Sequence, residues 1–199
     1  REFGIPVIVG GPHATVAPDR AIQNPAIDVV CVGDGEKSLY ELVKRINMGE
    51  DVSNIPSLWF KDQEGRITKN PRGGQIEHMD DLPVPNWDMF DPRHRVRPFE
   101  GELKNYGYFE ISRGCPFKCS YCIQPALHEI PNEKGEGHAT NYKFHSAREI
   151  VNRVKIYKEK YGFNHIQLID ENLPTMNEES LEEIATLWAK EVTPDKDVT

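Results

Sequence analysis

At 199 residues, the chain has room for between one and two domains. Its apolar content of 38% and charged content of 28% are globular values, which exclude long disorder and leave enough apolar side chain for a sizeable core. A net charge of −8 argues against a general nucleic-acid or anionic-membrane surface. The longest apolar runs, near residues 5–9 and 29–32, fall far short of the roughly 18 residues of a membrane span. No signal peptide is visible, so the expectation is a cytoplasmic chain with neither membrane nor nucleic-acid partners. The chain opens on Arg1 without an initiator Met and closes soon after a helical pattern, so a piece of a longer protein is expected.

The first segment alternates strand and helix. Residues 5–9 form a short β-branched run stopped by Gly10-Gly11-Pro12, and residues 28–32 form a second, ending in Gly33-Asp34-Gly35. Glu36 to Met48 reads as a helix, with Leu39, Leu42, Val43 and Ile46 on one stripe and Gly49 as its stop. Continuous apolar runs alternating with helices predict parallel strands buried on both faces. Residues 57–61 and 66–69 predict a small hairpin. Residues 71–105 lose periodicity among Pro71, Pro83, Pro85, Pro92 and Pro98, so an extended linker pinned by Trp87 and Phe90 is expected there.

Periodicity returns at Tyr106. Residues 108–111 predict a strand that runs into a cysteine loop. Ser146-Ala147-Arg148-Glu149 is a capping box, and the helix behind it carries Ala147, Ile150, Val151, Val154, Tyr157 and Tyr161 inward, up to Gly162. Residues 165–169 predict the next strand, parallel to the first and beside it. Asn177 then caps a second helix, with Leu181, Ile184, Ala185 and Trp188 inward and Pro194 as its stop. Strand, long loop, helix, strand, helix make two βα units of a larger parallel sheet or barrel.

Of the four cysteines, Cys31 sits inside Val29-Val30-Cys31-Val32 and reads as a small core residue. Cys115, Cys119 and Cys122 crowd into eight residues. Three clustered cysteines cannot all pair with one another, so metal or cluster ligation is the better account. Thiolates are the soft ligands of iron–sulfur clusters, and a three-thiolate loop leaves one iron open to a further ligand. The alternative is a zinc knuckle completed by His128 or His138.

Ser112-Arg113-Gly114-Cys115-Pro116-Phe117-Lys118-Cys119-Ser120-Tyr121-Cys122, directly after a strand, resembles the C-x3-C-x-aromatic-C loop of radical S-adenosylmethionine (SAM) enzymes that carry an N-terminal cobalamin-binding domain. The resemblance implies a [4Fe-4S] cluster on Cys115, Cys119 and Cys122, with SAM chelating the open iron and being cleaved reductively. It implies SAM contacts from Tyr121, the aromatic of the motif, and from Asp170 and Glu171, for which a plain helix-leading turn is the alternative. The N-terminal segment resembles the strand ends of Rossmann-like cobalamin domains, which implies Gly10, Gly11, Pro12, His13, Gly33 and Gly35 beside the corrinoid's nucleotide tail; an ordinary turn is the alternative at Gly10-Gly11. Arg113 and Lys118, beside the cysteines, are either solvated or set to offset the cluster's charge.

The fold expected is α/β. Residues 1–70 would form the C-terminal part of a doubly wound cobalamin-binding domain, 71–105 a proline-rich linker, and 106–199 the first βα units of a partial TIM-like radical SAM barrel. The resemblance implies radical methylation, cyclisation or rearrangement of a small-molecule or peptide substrate, with a flavodoxin or ferredoxin as electron donor. The alternatives are a radical SAM enzyme with a non-functional cobalamin domain, and a non-catalytic iron–sulfur or zinc module.

Overall fold

A computed structural model describes residues 4–131, 142–173 and 176–192. The chain divides into two compact units, Arg1–Ile76 with Pro116–Thr140, and Glu77–Cys115 with Asn141–Thr199. Residues 71–76 therefore go with the first unit, and 77–105 go with the second.

The first unit is built on a four-stranded sheet in the order β1 (Ile8–Val9), β2 (Val29–Cys31), β3 (Leu58–Lys61), β4 (Ile67–Lys69). β1 and β2 are parallel, as their apolar runs predict, while β3 and β4 are the predicted hairpin and add to β2 antiparallel. Alternate residues of β2 serve opposite faces. Val30 packs with Ala14, Ala21 and Ile22 from two short helices, α1 (Pro12–Val16) and α2 (Pro18–Gln23). Val29 and Cys31 pack with Leu42 of α3 (Glu36–Met48). Helices on both faces make this a doubly wound arrangement.

α3 keeps its predicted bounds, and Gly49 ends it in the left-handed region at φ 68°. Its stripe does not bury as a whole: Leu42 is covered, while Leu39, Val43 and Ile46 are exposed. Ser38 and Leu42 are the buried residues of the helix, so it meets the sheet along one line of side chains.

In the second unit, β6 (Glu102–Glu110) lies parallel to β9 (His165–Ile169), with Tyr106 opposite His165 and Glu110 opposite Ile169. α5 (Ala147–Tyr161) crosses between them, and α6 (Glu178–Glu191) packs on α5. All six predicted inward residues of α5 are buried, and five of them, all but Ala147, share one core with Phe109, Ile111, Phe163 and Ile166. On α6 it is Leu187, rather than Ala185, that joins Leu181, Ile184 and Trp188 on that core; position 185 falls on the exposed side. The predicted stop at Pro194 lies outside the described residues.

The linker reading needs correction. Met79–Asp81, Trp87–Met89 and Pro92–Arg95 are 3-10 turns, and β5 (Val96–Phe99) forms an antiparallel hairpin with β6. Pro92 sits in the first turn of its 3-10 helix, and Pro98 sits on an edge strand, the two places where a missing N–H costs least. The pinning is confirmed for Trp87, whose indole lies edge-on to Tyr108, Tyr157 and Phe163. Phe90 stays more exposed.

Polar contacts tie residues 80–83 to the start of α5. The Ser146 side chain accepts the Glu149 N–H, as a capping box requires. The reciprocal half is supplied from elsewhere: the Ser146 N–H goes to Asp80 Oδ1 (2.9 Å), and Glu149 pairs with Arg153 at 2.8 Å. Arg153 is buried and donates to the carbonyls of Leu82 and Pro83. Asp80 Oδ1 also meets Nδ1 of the buried His145 at 3.0 Å.

Burial pulls the His145 pKa below the ordinary imidazole value, against the opposing pull of Asp80. The folded state thus holds His145 neutral where the unfolded chain takes a proton. Stability is full above about pH 6.5 and falls as pH drops through that value. The Asp80 carboxyl is raised by burial but pulled lower overall by Ser146 and His145, so its contribution fades only below about pH 4. Thermal melts at pH 7.5 and 5.5 should show a lower midpoint at the acid pH, and His145→Asn should flatten that difference.

Candidate cluster and nucleotide-tail sites

The cysteine loop leaves the sheet where β6 and β9 end. The ladder continues through the Ile111 N–H to the Ile169 carbonyl (2.9 Å), and β7 (Ser112–Arg113) then pairs antiparallel with β8 (Lys143–Phe144). Gly114 turns the chain at φ 85°, a left-handed conformation that suits glycine. Cys115 is half-buried, Cys119 exposed and Cys122 half-buried, and none is in a disulfide. The Cys122 N–H closes on the Cys119 carbonyl at 3.0 Å, making a tight turn inside the motif. Phe117 and Tyr121 are exposed, Tyr121 at 91%. A short helix, α4 (Gln124–Glu129), follows.

By compact unit, Cys115 belongs to the second and Cys119 and Cys122 to the first. Among the described residues, no three His, Cys, Asp or Glu side chains are gathered closely enough to hold a metal ion. The case for a cluster therefore rests on the donor set, three free thiols within eight residues and soft ligands of the kind iron–sulfur chemistry uses. Of the two zinc-ligand alternatives, His128 is half-buried on α4 and His138 lies outside the described residues. Arg113 Nε pairs with Glu110 at 2.8 Å, and Lys118 is exposed.

Asp170 lies directly after β9, at the same strand ends as the cysteine loop. Its Oδ2 accepts from the buried Ser112 hydroxyl at 2.5 Å, and its Oδ1 accepts the Asn172 N–H at 2.5 Å. Tyr142 donates to the Asn172 carbonyl. Glu171 is exposed. Ser112 and Tyr142 escape a sequence reading because each bonds across a long stretch of chain.

In the first unit, Gly10-Gly11 and Gly33-Asp34-Gly35 follow the carboxyl ends of β1 and β2, where ligands of open α/β sheets bind. Thr15 ties the two loops: its hydroxyl donates to the Gly11 carbonyl (2.9 Å) and accepts the Gly33 N–H (3.0 Å). Gly11, at φ 87°, heads α1, so its own backbone requires glycine, and the space beside it is open. Gly10 carries no such strain, and an added Cβ would make only ordinary contact with Cys31 at 3.6 Å. Pro12 and His13, in the first turn of α1, are exposed.

Gly33 is glycine for another reason. A Cβ there would meet Arg72 Nε at 2.5 Å, so this chain's own buried Arg72 fills the space. A Cβ added at Gly35 would make ordinary contact with the Cys31 sulfur at 3.6 Å. Burial, with Glu36 and Asp34 nearby, pushes the Cys31 thiol up to about 11, which keeps it protonated and inert near neutral pH.

Two parallel strands joined through a helix run, at their carboxyl ends, into a segment with three free thiols. The profile of the radical SAM superfamily matches residues 109–195. It is similar to "Uncharacterized methyltransferase PH0819" of Pyrococcus horikoshii, at 27% identity over 172 residues, which are 86% of this chain and 34% of the relative. It is also similar to the "Anaerobic magnesium-protoporphyrin IX monomethyl ester cyclase" of Rubrivivax gelatinosus, at 23% identity over 87% of this chain and 29% of the relative. The cobalamin-dependent radical enzyme OxsB shares the fold at TM-score 0.61 and 17% identity, over 92% of this chain and 24% of its own. The methyltransferase TsrM from Kitasatospora setae does so at TM-score 0.55 and 21% identity, over 94% and 34%. The chain thus spans between about a quarter and a third of the length of these relatives. No described helix is long and apolar enough to cross a membrane.

Proposed function

We propose that the chain is the cofactor-holding part of a cytoplasmic radical SAM enzyme. In this reading Cys115, Cys119 and Cys122 hold a [4Fe-4S] cluster, and the doubly wound unit takes the nucleotide tail of cobalamin at Gly10-Gly11. The observation that carries it is the three-thiol loop at the end of a parallel strand pair, inside the segment that matches the superfamily. When bound, the cluster supplies one electron for reductive cleavage of SAM, drawn from a flavodoxin- or ferredoxin-type donor.

The chain's own residues have narrower tasks. The β6–β9 pair sets the rim from which the loop projects, Gly114 turns it, and exposed Tyr121 offers a flat face to an adenine ring. Gly10-Gly11 presents backbone without side chains at the β1 carboxyl end, and nothing lies within 4 Å of where a Gly11 Cβ would stand. The names of the relatives support methyl transfer or ring closure as the reaction.

The test uses the complete protein, reconstituted anaerobically with iron and sulfide. With a low-potential reductant it should release 5′-deoxyadenosine or a demethylated product from SAM. A stable metal with no SAM cleavage would instead define a binding module. For cobalamin the diagnostic variant is Gly10→Ala, because the ligand-free fold has room for that methyl group whereas Gly11 variants strain the backbone. Gly10→Ala should weaken corrinoid binding by about tenfold or more and leave the iron–sulfur spectrum unchanged, since a methyl group that displaces a close contact costs on the order of 1–3 kcal/mol. Unchanged affinity would make the doubly wound unit purely structural.

A further inference from the structure

Beyond these roles, the hydrogen bonds around Ser112 assign a task to Asp170. We infer that Asp170 is a positioning residue: by holding the Ser112 hydroxyl, it fixes where the chain leaves the sheet and enters the cysteine loop. The inference rests on the reading of that loop as a cluster ligand, but its first readout does not need the cluster.

Bonding between the two parallel strands ends at the Ile111 N–H and the Ile169 carbonyl. The next residues, Ser112 and Asp170, continue the ladder through their side chains, joining segments 58 residues apart. The Asn172 N–H on the other carboxylate oxygen is an ordinary local turn and by itself would make Asp170 only a helix leader. The long-range contact to Ser112, 1% exposed, is what distinguishes it. On its other side Ser112 pairs with Phe144 of β8, and the His145 N–H reaches the Ile111 carbonyl at 2.9 Å. The stem is therefore gripped from both sides.

Cys115 follows three residues after Ser112. Three residues span at most about 10 Å, and Gly114 spends part of that reach on a turn. Any drift of Ser112 passes directly into the position of the first thiol. Both Asp170 oxygens have protein partners, which suits a holding role better than direct contact with a ligand.

Hydrogen exchange over residues 112–115, measured on the complete protein without metal, tests this. Asp170→Ala and Ser112→Ala should each speed exchange there by ten- to a hundredfold, the factor expected for one lost charge-assisted hydrogen bond. The double variant should be no faster than either single one. Asp170→Asn should restore protection, because its Oδ1 takes the Asn172 N–H and its Nδ2 donates to the Ser112 oxygen. In the reconstituted protein, Asp170→Ala and Ser112→Ala should alter the SAM-induced change in the cluster's paramagnetic resonance spectrum alike, with Asp170→Asn near wild type. Should Asp170→Ala fail to fold, Ser112→Ala and Asp170→Asn carry the same comparison.

Wild-type exchange in Ser112→Ala would overturn the inference. So would an altered SAM response in Asp170→Asn with a normal one in Ser112→Ala, which would put Asp170 in direct contact with SAM. Iron retained after loss of the three loop cysteines would sink the cluster reading instead, and leave the exchange result standing.

Discussion

Cys115→Ala, Cys119→Ala and Cys122→Ala should each bring reconstituted iron down by more than tenfold and abolish the [4Fe-4S] resonance signal, while Cys31→Ala keeps both. Each loop substitution removes one of three thiolates, and among the described residues no further group of ligands is gathered to replace it. Cys31 differs in every respect that matters for ligation. It is 4% exposed, packed against Leu42 on one face of the sheet, and held as a thiol by a pKa of about 11. Its truncation removes one sulfur from a core, at a cost of about 1 kcal/mol in stability. Equal iron loss from all four variants would show that iron follows folding rather than the motif. Zinc released by the same three loop substitutions, with no resonance signal at any stage, would identify a zinc module.

Where the sequence carried a local signal, the fold was legible. α5 begins at Ser146 and stops at Gly162, α6 begins at Asn177, and α3 runs between its predicted ends, because caps and left-handed glycines act within a few residues. The parallel pairing of residues 108–110 with 167–169 followed from the apolar runs and the helix between them. What failed was local inference about tertiary surroundings. Pro92 and Pro98 break a helix interior or a central strand, but the chain puts them where neither rule applies, and so β5 has the composition of a linker. α1 and α2 were missed because neither is long enough for a period, although Pro12 and Pro18 both mark helix starts.

The candidate site divides along the same line. Three cysteines in eight residues are a signal that needs no folded context. The Asp170-Glu171 turn was visible as acidic residues at a strand end, but its partner Ser112 was not, since that contact spans 58 residues. The glycines were ambiguous for the reason that glycine always is. Gly11 answers to its own backbone, Gly33 to the guanidinium of Arg72, and Gly10 to neither, since a Cβ there would make only ordinary contact with Cys31. Nothing in the letters separates those three cases.

Gly107 is a fourth case, hidden inside a strand, and its substitution should have the largest effect on stability. It sits mid-way along β6, opposite Ile166 of β9, where a side chain would be expected. A Cβ there would lie 2.3, 2.7 and 2.9 Å from Cδ2, Cε2 and Cγ of Phe163. The ring cannot retreat: it is 1% exposed, with the rings of Trp87, Tyr157 and Tyr161 at 5.3, 5.4 and 5.6 Å between centroids. Overpacking of this kind costs about 1–3 kcal/mol, a large share of the roughly 5–15 kcal/mol that holds a domain together. Gly107→Ala should therefore lower the melting midpoint of the second unit by roughly 4–8 °C for each kcal/mol lost. Phe163→Leu is destabilising by itself, because it opens a cavity beneath Trp87. Combined, the two changes should cost less than their sum by about 1 kcal/mol, since the smaller side chain makes room for the new methyl group. Thermal melts of the single and double variants followed by circular dichroism measure that difference, and strict additivity would mean that Phe163 is not what requires glycine at position 107.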